Sequence, residues 1–160
     1  MTTQTAPTVA TAGTAPISFW GAVASVLGKY ADFSTRASRR EFWFFAIFAT
    51  VIQVVLSTIL LVLTVWAFTA SALDGRGTPP TITNPTGFIV FVVYATVFGL
   101  WSLYLIMPVL SVHVRRFHDA GYTGWLLLLV AIPSVGSIVV FVFMALPSAA
   151  DNQWGPASPR

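Results

Sequence analysis

Three long apolar runs organise the chain: about Trp43 to Thr69, Phe88 to Val112 and Trp125 to Leu146. The first has 27 residues and no charge. Each run reaches or exceeds the roughly 17–25 residues needed to cross a hydrocarbon core, so the pattern predicts three transmembrane helices. Ahead of them, Phe19/Trp20, Val23, Leu27 and Tyr30 recur at near-helical spacing within residues 17–33. That segment is short and aromatic and closes with Lys29 and Asp32, which suits an amphipathic helix lying in the interface. A loop packed on the bundle is the alternative. Residues 74–87 are rich in Gly, Pro and Asn and read as a loop, with Asn84-Pro85 as cap and first position of the second span. The expected fold is an all-α membrane protein: one membrane domain over 17–156, a disordered Thr/Ala-rich tail over 1–16 and a short tail over 157–160.

Composition strengthens the membrane reading. Of 160 residues, 56% are hydrophobic and 8% charged, too few charges to give a soluble domain its polar exterior. The net charge of +3 is small and interleaved with apolar segments, which points to anionic lipid headgroups rather than nucleic acid. Lys29, Arg36, Arg39 and Arg40 precede the first span, and Arg115 and Arg116 lie between the second and third; Arg76 and Arg160 remain for the other side. The positive-inside rule then places the N-terminus in the cytoplasm and the C-terminus outside.

The stretch ASRREFW, residues 37–43, imitates a twin-arginine export signal, with Ala70-Ser71-Ala72 as an apparent cleavage site. The apolar run is about twice a removable signal's length, and cleavage would leave two further spans. A helix start explains the residues better. Ser38 and Glu41 have capping-box spacing, Arg36, Arg39 and Arg40 can reach the headgroups, and Trp43 marks entry into lipid.

The three apolar runs contain no Asp, Glu, Lys or Arg, which argues against an ion-coupled carrier, proton relay or voltage sensor. Gln53 is expected to hydrogen-bond across helices. Pro108 and Pro133 are packing kinks or hinges. The densest polar cluster is HVRRFHDAGYTGW, residues 113–125. Asp119 can pair with Arg115 or Arg116, Gly121 suits a helix C-cap, and Thr123 or Gly124 can start the next segment. His113 and His118 are five apart, not the i, i+4 spacing of a metal pair. No metal or cofactor is implied, and there is no cysteine. His118 beside Asp119 and two arginines could act in acid–base chemistry or hold a phosphate, but no nucleophile completes a catalytic set.

Three motifs in order resemble the domain-of-unknown-function 805 group of small bacterial inner-membrane proteins. The first runs from Tyr30 through Phe33, Arg36, Arg39 and Glu41 to Trp43. The second is Arg115-Arg116-Phe117-His118-Asp119 with Gly124-Trp125, and the third is Asn152-Gln153-Trp154-Gly155-Pro156. Thr35 stands where the family usually has glycine, and Leu126 where many members have tryptophan. The resemblance implies architecture and membrane location, not an activity. The function expected is a non-enzymatic scaffold, accessory subunit or regulator, its basic face binding anionic lipid or a protein partner through Arg36, Arg39, Arg40, Arg115, Arg116 and His118. The alternatives are an oligomeric transporter or pore using the Pro108 and Pro133 kinks, or a membrane enzyme using His118 and Asp119 on lipid headgroups.

Overall fold

Every described element is helical. A computed structural model describes residues 16–72 and 85–156. The expected tails (Pro16 apart), most of the 74–87 loop and the Asn84 cap lie outside the described residues. Helix α1 spans Phe19–Gly28, α2 Arg39–Ala72 and α3 Pro85–Asp119; a 3-10 helix over Gly124–Ala131 and helix α4 over Val135–Ala145 complete the order.

Helix α1 starts where Ser18 caps the Gly21 amide at 3.1 Å. It buries Ala22, Val23 and Val26, packs chiefly along α2, and leaves Trp20 exposed. It is shorter than the expected 17–33 segment, because residues 32–35 form a side-chain-bonded turn instead. Asp32 there accepts hydrogen bonds from the backbone and hydroxyl groups of both Ser34 and Thr35. Burial alone would raise the Asp32 pKa, but these bonds outweigh it and hold the carboxyl well below the usual carboxylate range. Thr35 adopts no positive φ; its hydroxyl joins this turn at 2.6 Å.

Helices α2 and α3 are each long and apolar enough to cross a membrane. Almost none of their most apolar windows is buried within the protein, so these faces are apolar where a soluble protein would be polar. Gln53 bonds across to Ser102 at 3.2 Å, and the Tyr94 hydroxyl donates to the Leu56 carbonyl at 2.9 Å. Pro108 is buried inside α3, which continues through it to Asp119.

The third apolar run departs from expectation. It is not one helix over 125–146 but a hairpin that returns to the end it left. The 3-10 helix leaves the C-terminal end of α3, where Gly124 lies against Val114. At the other end of the run, the Met144 and Leu146 carbonyls accept from Arg116 and the Ala149 amide donates to the Asp119 carbonyl at 2.8 Å. Eight residues at about 2.0 Å each and eleven at about 1.5 Å each give two arms near 16 Å. That is roughly half a hydrocarbon core. Pro133 stands at the reversal rather than in a kinked span. Ser134 has φ 65° and ψ −55°, and the Val135 amide reaches the Pro133 carbonyl at 2.7 Å: a γ-turn. Gly136 passes so close to the Leu129 carbonyl that a Cβ would overlap it, so only glycine admits the reversal. Residues 146–156 consequently lie at the same end of the molecule as the two arginine motifs, not at the opposite one.

The core sits at that end, where Val26, Phe42, Phe45, Val112, Phe117 and Met144 meet. Four elements are therefore joined at one end of the α2–α3 pair.

Candidate functional site: a buried arginine–carboxylate junction

Three short sequence motifs meet at this end, and the local folding of each explains how. Helix α3 stops at Gly121 (φ +86°), where the Tyr122 amide bonds to the Phe117 carbonyl and the Gly121 amide to the His118 carbonyl. This is a Schellman ending, which uses glycine's access to positive φ. It fixes Arg115, Arg116, His118 and Asp119 in the last turns of α3. The chain before α2 is held by the Ala37 amide on the Arg115 carbonyl at 3.1 Å. The tail after α4 closes a tight turn, with Asn152 and Gly155 exchanging backbone bonds and Gly155 at φ +122°.

Arg36 and Asp119 form the centre. The Arg36 Nε and Nη2 lie 3.2 and 3.1 Å from Asp119 Oδ1. The same guanidinium donates to the carbonyls of Asp119, Ala149, Ala150 and Gly155 at 2.8–3.1 Å. Arg116 pairs with Asp119 Oδ2 and donates to the Met144 and Leu146 carbonyls, and the Ser148 hydroxyl completes the carboxylate at 2.6 Å. Arg115 pairs separately with Glu41 at 3.1 Å, and Ser25 of α1 donates to the same Glu41 oxygen at 2.9 Å. Arg115, Arg116 and Asp119 are wholly buried. Charges this deep are stable only when paired and hydrogen-bonded. Among the described residues, Nε and Nη2 of Arg115 nevertheless have no hydrogen-bond partner.

These positions change the expected roles. Arg36, Arg115 and Arg116 do not reach toward headgroups; they are packed inside and bound to carboxylates. Arg39 and Arg40 are exposed, as is Lys29. Asp119 pairs with Arg116 as the helix spacing allows, and also with Arg36, which spacing could not indicate. The capping box forms by half. Ser38 Oγ accepts from the Glu41 amide at 3.2 Å, whereas the Glu41 carboxylate turns inward to Arg115 and Ser25 instead of reaching back. His118 is buried and stacks flat on Trp154, ring centroids 4.3 Å apart and 6° from parallel. Its carbonyl accepts from Asn152 Nδ2 at 2.9 Å. No hydrogen bond joins its ring to the Asp119 carboxylate among the described residues. Trp43 packs on Phe141, and Trp125 is largely exposed beyond the Thr123 cap. Pro156 follows Gly155 at the end of the tail turn.

Sequence reasoning missed Ser25, Ser111, Ser148 and the carbonyl groups of 144–150. Ser111 donates to the Asp32 carbonyl at 2.7 Å and so ties the α1–α2 connection to α3. A lone serine in an apolar helix carries no signal of such a partner. Among the described residues, no three His, Cys, Asp or Glu gather closely enough to hold a metal ion.

An all-helical protein with two helices fit to cross a membrane, closed at one end by a buried arginine–carboxylate junction, is the class these features define. The chain belongs to the family described as "Protein of unknown function (DUF805)", whose model matches residues 30–156. That match takes in all three motifs of the junction. The chain is also similar to inner membrane protein YhaI of Escherichia coli (strain K12), 28% identical over 132 residues, covering 82% of this chain and 89% of the relative. Inner membrane protein YhaH of the same organism is 27% identical over 138 residues, covering 82% and 90%. No solved structure matches.

Proposed function

We propose that this is a non-enzymatic, multi-pass protein of the bacterial inner membrane, a scaffold, accessory subunit or regulator. In this reading α2 and α3 cross the bilayer and the 124–145 hairpin enters from the cytoplasmic side and returns. The junction, the chain entering α1 and residues 146–156 then all lie on the cytoplasmic side. This orientation follows from positive charge, because Lys29, Arg36, Arg39, Arg40, Arg115 and Arg116 share that end.

The observation that carries the reading is a division of labour among those cations. Arg36, Arg115 and Arg116 are consumed by internal pairing, whereas Lys29, Arg39 and Arg40 remain exposed. The exposed three form a basic foot for anionic headgroups, each contributing about 1 kcal/mol near a negative surface. A nearly neutralised junction, whose arginines and carboxylates bond chiefly to one another and to backbone carbonyls, supports structure rather than catalysis.

The test is co-flotation of the protein's cytoplasmic face, presented in nanodiscs, with added vesicles containing phosphatidylglycerol. R39A/R40A is expected to weaken binding about tenfold or more while leaving the folded particle intact, and added salt is expected to weaken the wild type similarly. Undiminished vesicle binding by a folded R39A/R40A variant would sink the headgroup reading.

A further inference from the structure

Midway along the α2–α3 pair lie polar groups that the described residues do not satisfy. Gln53 stands ten residues beyond Trp43 on α2. At roughly 1.5 Å per residue that is about 15 Å, half the depth of a hydrocarbon core. Its Nε2 donates to Ser102 Oγ at 3.2 Å, and the Ser102 hydroxyl gives its one proton to the Phe98 carbonyl at 2.9 Å. Ser102 can therefore only accept from Gln53, which turns the amide nitrogen toward Ser102 and the amide oxygen away.

Among the described residues Oε1 of Gln53 has no hydrogen-bond partner, and it is not sealed inside the protein. Gln53 is half-buried and lines an open notch of about 390 Å³ between α2 and α3. The second Nε2 hydrogen is unused as well. One turn away, Thr50 lines the same notch, is exposed, and makes no hydrogen bond among the described residues. Ser57, Thr58, Thr64 and Thr96, by contrast, each donate to a carbonyl of their own helix.

Water satisfies such groups in a soluble protein. Hydrocarbon cannot, so an amide at this depth favours a neighbour that brings both a donor and an acceptor. A phospholipid keeps its polar atoms near the interface and offers only acyl chain at mid-bilayer. A second copy of this chain, inserted in the same orientation, presents the same amide at the same depth. A carboxamide is self-complementary, and across a two-fold axis along the membrane normal each N–H can donate to the other's Oε1. The surface permits the approach. The hairpin covers α2 at Trp43, which packs on Phe141, but beyond that level Thr50, Val54 and Ser57 are exposed. Thr50 and Ser57, one turn to either side of Gln53, are small enough for two helices to come close, and the run from Trp43 to Thr69 holds no charge to repel its twin.

We propose that the protein pairs with a second copy of itself through the α2 face at Gln53, the two carboxamides exchanging hydrogen bonds at mid-bilayer with Thr50 beside them. This rests on the reading that α2 crosses the membrane. The basic foot lies at the end of α2 and takes no part in the pairing.

The test uses the full-length protein in phosphatidylcholine vesicles. The chain has no cysteine, so Ser57→Cys on the Gln53 side of α2 and Val55→Cys, two residues and about 200° around the helix from it, report contact directly. Oxidation at low protein-to-lipid ratio is expected to link Ser57→Cys into dimers about fivefold or more above Val55→Cys, as one preferred face requires. Energy transfer between labelled copies, followed as lipid is added, is expected to show dimerisation about tenfold weaker in Gln53→Leu, with Gln53→Asn between. Equal cross-linking at 55 and 57, a monomer at every dilution, or a folded Gln53→Leu that pairs like the wild type would overturn the proposal. Ser57→Cys that reacts with a membrane-impermeant maleimide would overturn the crossing of α2 and the pairing with it. A protected thiol that forms no cross-link overturns the pairing alone. If Gln53→Leu does not fold, the comparison of positions 55 and 57 decides the matter.

Discussion

Arg36 and Asp119, 83 residues apart, meet in a buried contact in which two guanidinium nitrogens face one carboxylate oxygen at 3.1 and 3.2 Å. The pair ties the chain before the first long helix to the end of the second. Through the carbonyls that Arg36 also binds, it ties both to the tail.

Removing the shared carboxylate strands two buried cations. Asp119→Ala is expected to cost about 3–5 kcal/mol, a large share of an ordinary protein's stability. Thermal denaturation of the detergent-solubilised protein, read by size-exclusion profile, measures this. Asp119→Asn keeps the hydrogen-bond acceptors of one oxygen and is expected to fall between the two.

Glu41 and Arg115 offer a sharper comparison, because two Arg115 nitrogens have no partner among the described residues. Glu41→Gln is expected to destabilise by about 3 kcal/mol or more, as it leaves a buried guanidinium unopposed. The combined change Glu41→Leu with Arg115→Met removes both charges and is expected to recover most of that loss. A double variant as unstable as Glu41→Gln would show that the ion pair itself contributes net stability.

The hairpin reversal stores backbone strain at Ser134, whose φ of 65° is one that side chains rarely adopt. Ser134→Gly is expected to raise stability by about 1 kcal/mol, and Ser134→Val to lower it by more. The same melting experiment separates them, and an unchanged midpoint for both would show that the γ-turn stores no strain.

A re-entrant hairpin and a third crossing helix place residue 153 on opposite sides of the membrane. The chain has no cysteine, so single introduced thiols report cleanly. Arg39→Cys and Gln153→Cys are expected to react from the cytoplasmic face and Arg76→Cys from the other. Labelling of Gln153→Cys from the outside would restore three crossings.

Much of this was legible along the chain. The two long apolar helices, the helix over Phe19–Gly28, the Gly121 stop, the Ser38 cap and the Gln53 cross-helix bond all follow from local pattern. So does the Arg116–Asp119 pair, which needs only three-residue spacing on one helix. Hydropathy by itself reads the third apolar run as one long helix because it counts residues without direction. Its 22 residues suffice to cross once or to enter halfway and return. Pro133 and Gly136 marked the weak point, but a kink and a reversal have the same local composition.

The arginines show the same division. By itself the sequence determined that these residues lie at one end of a membrane protein, since apolar runs of this length and charges at their edges permit little else. It could not say which of them face water. Only the tertiary structure decided that Arg36, Arg115 and Arg116 turn inward while Arg39 and Arg40 stay outside. That choice depends on carboxylates and carbonyls brought close by folding: Glu41 for Arg115, Asp119 for two arginines, and the returning 144–155 segment for their remaining donors. A buried charge is defined by its partners in space, and those partners lie as far as 119 residues away along the chain.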